Sequence, residues 1–246
     1  MAPGTLSVGN QSTPLFAPSY PTDVNSFTGV NILEIQYRTA IDDVKHLIPD
    51  IFELEDEPLV IASLITYNMS TVGAYNECIH QVEVTYKGTK YDYFISLILD
   101  NEAAIFSGRE QFGYPKTFGK VTMESRSGMA ALIGKVEKPV GVPLIEFAFT
   151  PGQKLDQSPQ SASKSSLNYR LIPSPVPNSP PSVKELVPVL LQVEGGEVWQ
   201  GKGSVSYPST LDHHPIHRLR VLRYETSTYI IGTSAHLPAP QKVITL

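Results

Sequence analysis

Short segments in which apolar and polar residues alternate recur along the chain and predict many β-strands. Residues 31–37 show this alternation clearly. Residues 80–86 and 91–98 show it on either side of a Lys-Gly-Thr-Lys turn, which predicts a β-hairpin. Further strands are predicted at residues 59–67, 121–125, 130–136, 145–149, 169–172, 186–193, 198–207, 219–224 and 229–234.

One short helix is predicted after the first strand. Ile41, Val44 and Leu47 are spaced for one helical face, Thr39 is the expected N-cap, and Pro49 closes the segment. Many short strands with few helices indicate a mostly β (α+β) fold, built as an antiparallel sheet that is closed or sandwiched.

The chain is predicted to form an N-terminal arm and one domain. Residues 1–28 are rich in Ser, Pro, Gly and Asn, which indicates little regular structure, and residues 29–246 form the domain. Residues 153–166 are polar and predict an exposed loop, and the proline-rich residues 173–181 predict an extended segment. Neither side of that segment has an obviously self-sufficient core, so no second domain boundary is placed there.

Composition and charge narrow the range of functions. The chain has 246 residues and a net charge of -5, which argues against a nucleic-acid partner. Neither a signal peptide nor an apolar run of membrane-spanning length is found, so no membrane partner is expected. Cys78 is the single cysteine, which excludes an internal disulfide and favours a reducing, cytoplasmic location.

Several familiar kinds of site have little support. Residues 212–217 cluster histidines with one aspartate, but Pro215 breaks the helix that would align them, and a surface loop is the preferred interpretation. Residues 201–203 lack the third glycine of a dinucleotide site, and no serine has the flanking residues of a nucleophile elbow. No metal and no cofactor are therefore predicted.

The stretch 108–116 carries the most specific candidate chemistry. Gly113 permits a sharp turn, and Pro115 fixes its own φ and holds the preceding residue extended. Apolar runs flank the stretch, so Lys116 is expected to be carried into the interior. A lysine in an apolar pocket loses solvation of its charged form, and the free amine can attack a ketone to form a Schiff base. The alternative is an ordinary turn whose lysine reaches the surface.

A series of short motifs gives this stretch a wider context. The motifs are Tyr37-Arg38-Thr39, Asp56-Glu57-Pro58-Leu59-Val60, Tyr75-Asn76-Glu77, Leu99-Asp100-Asn101-Glu102, Gly108-Arg109-Glu110 and Tyr114-Pro115-Lys116, with Trp199 and Gly201 near the C-terminus. In this order the series resembles the acetoacetate decarboxylase family. The resemblance runs from about residue 15 to about residue 243 and is strongest between residues 37 and 116.

The resemblance implies a fold and a set of roles. It implies a central antiparallel β-barrel or cone with a few small peripheral helices. It implies that Lys116 forms an imine with a keto substrate. The lysine of this family is a standard example of an activated amine. Glu77 falls on a pocket glutamate that moves a proton or positions the substrate. Tyr114 falls beside the lysine as a substrate-binding residue, and Arg109 and Glu110 are interpreted as supports of the lysine turn.

Three positions depart from the family pattern at the substrate-binding site. Val30 stands where the family has a pocket arginine, and Ser63 stands where it has a second pocket glutamate. Thr117 replaces the lysine that usually follows the reactive one. The resemblance therefore implies a pocket that is less polar than that of the family, suited to a bulkier keto compound.

The predicted function is a lyase that forms a lysine Schiff base with a small-molecule keto substrate. Decarboxylation of a β-keto acid, in specialised metabolism, is the leading reaction, and the protein is expected to form a homo-oligomer. One alternative keeps the imine but runs aldol cleavage, dehydration or cyclisation of a larger polyketide-derived substrate. Another is a ligand-binding barrel without catalysis.

Overall fold

The computed structural model describes residues 1–22, 25–126, 130–156 and 165–246. Its helices are α1 (Ile41–Val44) and α2 (Glu102–Phe112), and 3-10 turns occupy Lys45–Leu47 and Pro215–Arg218. The strands are β1 (Asn25–Arg38), β2 (Leu59–Ser70), β3 (Tyr75–Tyr86), β4 (Thr89–Leu99), β5 (Lys116–Phe118), β6 (Lys120–Arg126), β7 (Ala131–Glu137), β8 (Pro143–Leu155), β9 (Ser166–Ile172), β10 (Val183–Val189), β11 (Gln192–Glu194), β12 (Glu197–Ser206), β13 (Arg223–Leu237) and β14 (Ile244–Thr245).

All of these strands belong to one 14-stranded sheet. Its order is β14-β10-β9-β4-β3-β2-β1-β13-β12-β8-β7-β6, with β5 added beside β4 and β11 beside β13. Pairing is antiparallel except where β5 and β9 run parallel to β4. Because β6 also packs near β2, β3 and β4, the sheet bends back on itself.

The predicted mostly β class with a few small helices is confirmed. The architecture differs from a fully antiparallel barrel in two respects. The sheet is mixed, and no pairing between the described strands joins its two ends.

The central strands bury both of their faces. In β1, Leu33, Ile35 and Tyr37 are fully buried in the main hydrophobic core. The alternate side chains of this strand, among them Ile32 and Glu34, point to the opposite face and line a cavity. The continuous burial along β2 follows from its central position between the core and that cavity.

Among the predictions of local structure, the hairpin is confirmed and the helix N-cap is wrong. The hairpin formed by β3 and β4 is confirmed, and Lys87 and Gly88 in its turn have positive φ. The predicted N-cap at Thr39 is wrong: Ala40 occupies that position without a side-chain cap, and Thr39 is buried instead. The helix also tightens into a 3-10 turn after its first four residues.

Three predicted boundaries also moved. A strand was predicted at residues 219–224, but β13 begins only at Arg223. Residues 186–193 divide between β10 and β11. The loop predicted at residues 153–166 begins later, because β8 continues to Leu155, and its residues 157–164 lie outside the described residues.

Two further features concern the rest of the chain. The helices of the described ranges are all too short to cross a membrane. Cys78 is buried in the main core, where burial raises the pKa of its thiol, as expected for a cysteine that packs as a small apolar residue.

Candidate active site

Helix α2 and the turn after it place Lys116. The Asn101 side chain caps the helix by accepting a hydrogen bond from the Ala104 N–H at 2.9 Å. Gly113 ends the helix in the left-handed conformation, with φ 72°. A methyl group at Gly113 would lie 2.8 Å from the Arg170 Cβ, so both backbone angle and space favour glycine there. The chain then extends into β5, whose first residue is Lys116.

The lysine side chain lies in the interior as predicted. Lys116 is only 8% exposed. Its Nζ lies 5.6 Å from the ring centroid of Tyr114 and 6.0 Å from that of Tyr75. Gly108, in the last turns of α2, lies against its aliphatic stem. The amine is therefore held between aromatic faces and a helix rather than in solvent.

The described charge nearest to this amine is a buried carboxylate. Glu77 Oε1 lies 3.0 Å from Lys116 Nζ, and the Glu77 side chain is 2% exposed. Strand pairing explains the approach, because Glu77 is opposite Leu99 on β4 while Lys116 is opposite Leu97, two residues away on the same face. The contact has ion-pair distance without hydrogen-bond alignment, since no described group is aligned to donate to Oε1.

Three tyrosines surround this ion pair. Burial, followed by the negative charge of Glu77, raises the pKa of the Tyr67 and Tyr114 hydroxyls above the ordinary value. Burial, followed by the neighbouring Tyr67, does the same to the pKa of Tyr75. The three hydroxyls are consequently neutral at physiological pH and can donate hydrogen bonds to a bound oxygen.

The ion pair lies at the wall of a cavity of about 830 Å³. Its walls come from β1 to β4 and from residues 189–195, which connect β10 to β11. Among the described residues that line it, Lys116 is the one cation, whereas Glu34, Glu77 and Glu194 are acids. The cavity is in the size range that encloses drug-sized ligands.

The structure brings some of the predicted substrate-binding residues together and not others. Ser63 and Tyr114 line the cavity with Lys116 and Glu77. Val30 is buried in the adjoining apolar cluster and is not among the described lining residues. Thr117 is not among them either, because alternation along β5 turns it away from Lys116, and its Oγ1 donates to the Leu97 carbonyl at 3.3 Å.

Arg109 and Glu110 lie outside the cavity and contact the segments around the lysine turn. Arg109 donates from Nη1 to the Lys116 carbonyl at 3.1 Å. Glu110 accepts a hydrogen bond from the Tyr20 hydroxyl at 2.7 Å, and its carbonyl accepts one from Arg170. These contacts fit the predicted supporting roles, since they join the turn to the N-terminal arm and to β9.

Comparison with known proteins places this geometry in a family. The model of the acetoacetate decarboxylase family matches residues 12–237, which is most of the chain. The chain belongs to the acetoacetate decarboxylase family. This confirms the resemblance on which the roles of Lys116 and Glu77 were predicted.

Relatives cover nearly the full length of this family member. It is 40% identical to decarboxylase DEC1 of Cochliobolus heterostrophus over 228 residues, covering 91% of this chain and 90% of that one. It is 29% identical to acetoacetate decarboxylase of Clostridium botulinum over 242 residues, covering 94% of each. Relatives named as decarboxylases support an enzyme of the lyase class.

Solved structures of the family have the same fold. The acetoacetate decarboxylase structure from Legionella pneumophila superposes with a TM-score of 0.82 at 26% identity, covering 98% of each chain. The enduracididine biosynthesis enzyme MppR superposes with a TM-score of 0.78 at 17% identity, covering 99% of each chain, and supports the fold alone.

Sequence reasoning missed several residues of this family member's cavity. Tyr67 and Tyr75 face the ion pair, and Glu34 and Gln81 lie on the wall formed by β1 and β3. Alternation along β1 puts Glu34 on the face opposite Leu33, but without the sheet order that face is expected to meet water. Tyr75 does stand in the Tyr-Asn-Glu motif, which was the one signal available for it.

Gly108 provides a test of how the lysine is positioned. A methyl group added there would lie 2.5 Å from Lys116 Cδ and 2.7 Å from Cε. Because the lysine stem is the more mobile of the two, Gly108→Ala should displace the amine. A shift of about 1 Å in a reacting group can cost about a hundredfold in rate. We expect kcat for a keto-acid substrate to fall by about that factor with the thermal unfolding midpoint little changed.

Gly4→Ala is the matched control, since nothing lies within 4 Å of the added methyl group. A wild-type kcat in Gly108→Ala would mean that the packing of helix α2 does not hold the amine.

Proposed function

We propose that this protein is a Schiff-base decarboxylase that acts on a β-keto acid larger than acetoacetate. The observation that carries the proposal is the buried Lys116 amine, 3.0 Å from the Glu77 carboxylate, at the wall of a cavity of about 830 Å³. An amine and a carboxylate held together in a largely apolar site have the arrangement of a nucleophile with its proton acceptor.

The reaction needs no group beyond the chain and its substrate. The Lys116 amine, freed when Glu77 takes its proton, attacks the ketone, and loss of water gives an imine. Once this imine is protonated, the bond to the carboxylate breaks, CO2 leaves, and the electron pair moves to the imine nitrogen to form an enamine. A proton delivered to carbon restores the imine, and water then releases the ketone and the lysine. Glu77 is placed to move the protons in these steps.

The charges of the cavity disfavour a small anionic substrate. Ser63 replaces a charged residue of the family pattern, and Lys116 is the one cation among the described lining residues. A small carboxylate would lose its hydration without an arginine to replace it. A larger chain recovers free energy by burying apolar surface, at about 25 cal/mol per Å². An extended β-keto acid of the polyketide type fits this requirement and supports a role in specialised metabolism.

The substrate preference is tested with a panel of β-keto acids of increasing chain length. Burying two or three further CH2 groups is worth about 0.8 kcal/mol each, so we expect kcat/KM for the larger acids to exceed that for acetoacetate by about tenfold to a hundredfold. The measurement is CO2 release under initial-rate conditions. A kcat/KM for acetoacetate above that of every larger acid would contradict a pocket adapted to bulk.

Trapping separates the proposed reaction from its alternatives. Borohydride reduces an imine to a stable amine, so incubation with a keto acid and borohydride should attach the substrate to Lys116, as located by peptide mapping. Release of CO2 in the absence of borohydride identifies decarboxylation. An adduct at Lys116 without CO2 release would favour aldol, dehydration or cyclisation chemistry, and the absence of both would favour a non-catalytic binding protein.

A further inference from the structure

The cavity contains a second carboxyl group that the proposed reaction does not use. Glu34 lies on β1, with its side chain on the cavity face of the strand. Its neighbours on either side, Leu33 and Ile35, are fully buried in the main core. The backbone on both sides is therefore fixed, and the carboxyl group is held at the cavity wall rather than free to turn into solvent.

The hydrogen bonds of Glu34 leave it able to bind a further group. Gln36 donates from Nε2 to Glu34 Oε1 at 2.8 Å, which fixes one oxygen. Among the described residues no lysine or arginine forms an ion pair with Glu34. Burial, with a smaller contribution from Asp92, raises the pKa of this carboxyl above its ordinary value. A half-buried carboxyl whose described side-chain partner is one neutral amide retains capacity for a hydrogen bond to a ligand.

The position of Glu34 relative to Lys116 follows from strand pairing. A row of paired residues, one on each strand, runs across the wall from Glu34 to Lys116. Its order is Glu34, Ser63, Ile79, Leu97 and Lys116. Neighbouring strands lie about 4.8 Å apart, so four steps span roughly 19 Å along the sheet, and less in a straight line across its bend. The Lys116 amine and the Glu34 carboxyl both project into the cavity from these strands, and the amine already reaches Glu77 on β3. The gap that a substrate chain has to span is therefore shorter than the separation of the strands.

The wall between the two groups is mostly apolar. Ile79 and Leu97 lie on the connecting row, and Ile65 and Phe94 line the cavity beside them. Such a wall suits an aliphatic chain, whereas the carboxyl group at its far end requires a polar partner. At about 1.2 Å per bond of an extended chain, a chain that bridges the two groups has no more than about ten atoms.

We propose that Glu34 is a distal specificity residue of this cavity, which binds a hydroxyl group carried by a long keto-acid chain whose ketone is held at Lys116. This rests on the proposed function for the placement of the ketone. A neutral hydroxyl fits better than an ammonium group, because the one side chain that hydrogen-bonds Glu34 is the neutral Gln36 amide and a hydroxyl costs less to desolvate than a charge.

The test uses binding of unreactive product analogues, so that it does not depend on catalysis. Pairs of long-chain methyl ketones, identical except for a terminal hydroxyl, are titrated by calorimetry into the Lys116→Ala protein and into Lys116→Ala combined with Glu34→Leu. We expect the hydroxylated ketone of matching length to bind about tenfold to a hundredfold more tightly than its partner when Glu34 is present. The preference should disappear in the Glu34→Leu protein.

Two further variants are controls for the effect of Glu34→Leu. Glu34→Gln retains hydrogen-bonding capacity and should keep part of the preference, and the exposed Glu146→Gln should keep all of it. Equal binding of the two ketones at every length would overturn the proposal, as would an unchanged preference in Glu34→Leu or tighter binding of an amino-terminated ketone. Failure of the borohydride trapping described above would refute the imine mechanism while leaving this hydroxyl preference measurable.

Discussion

Lys116→Ala should abolish decarboxylation and leave the protein folded. The variant removes the one amine among the described cavity residues. Without that amine no imine forms, and the protonated imine is the only electron acceptor in the proposed reaction. Removal of a covalent nucleophile removes the catalysed route itself, so the expected loss exceeds that of any other substitution considered, and activity should fall to the uncatalysed rate. The measurements are CO2 release and the thermal unfolding midpoint.

Removing the lysine also leaves the Glu77 carboxylate buried without its partner. A buried charge that loses its partner typically costs about 3–5 kcal/mol unless it takes up a proton. Some loss of stability is therefore expected. Lys116→Met fills the same space without the amine and should be equally inactive, which shows that the amine and not the filled volume is required.

Lys120→Ala is the matched control, since Lys120 is an exposed lysine on the neighbouring β6. It should retain wild-type turnover, and borohydride should still attach the substrate to Lys116. Substantial turnover by Lys116→Ala, or a reduced adduct on Lys120, would contradict the assignment.

Lys116 and Glu77 could be singled out from the sequence because they stand in short motifs whose order along the chain is itself informative. Gly113 and Pro115 also predicted the turn that carries Lys116 inward, since their backbone preferences are local. What the motifs did not predict is the ion pair's geometry. The approach of Glu77 to Lys116 depends on the parallel pairing of β5 with β4, a contact that no local pattern signals.

Helix α2 was missed for a physical reason. Its buried face includes Ser107 and Gly108 as well as Ala104 and Phe112, so the sequence shows no continuous apolar stripe. Gly108 leaves room for the lysine stem, which packs against the helix there. The feature that concealed the helix in the sequence is therefore part of what positions the reactive residue.

The remaining differences come from long-range structure. Val30 was assigned to the pocket by counting from a motif, but the β1 pairing is irregular on both sides of Val30, and its side chain joins the apolar cluster. Glu34 was overlooked because a polar residue on an alternating strand normally faces water. The predicted homo-oligomer and cytoplasmic location stay predictions, since contacts within one chain do not test them.

Glu77→Gln should lower kcat by about a hundredfold to ten-thousandfold, the usual contribution of a positioned proton-transfer group. Glutamine has nearly the same shape as glutamate but cannot take the proton from the Lys116 ammonium group or return it to carbon. KM should change much less than kcat, because the carboxylate is proposed to act on protons in transit rather than to hold the substrate. The same substitution on the exposed Glu146 is the control for a general effect of losing a negative charge.

Glu77→Asp distinguishes proton transfer from simple support of the structure. Aspartate keeps the carboxyl group but is shorter by one methylene, so it should restore part of the kcat that glutamine loses. A purely structural role predicts the opposite ranking, because glutamine preserves the packing of Glu77 better than aspartate does. An unchanged kcat in Glu77→Gln would reduce Glu77 to a residue that packs beside Lys116, and the proton acceptor would then have to be sought among the tyrosines of the cavity.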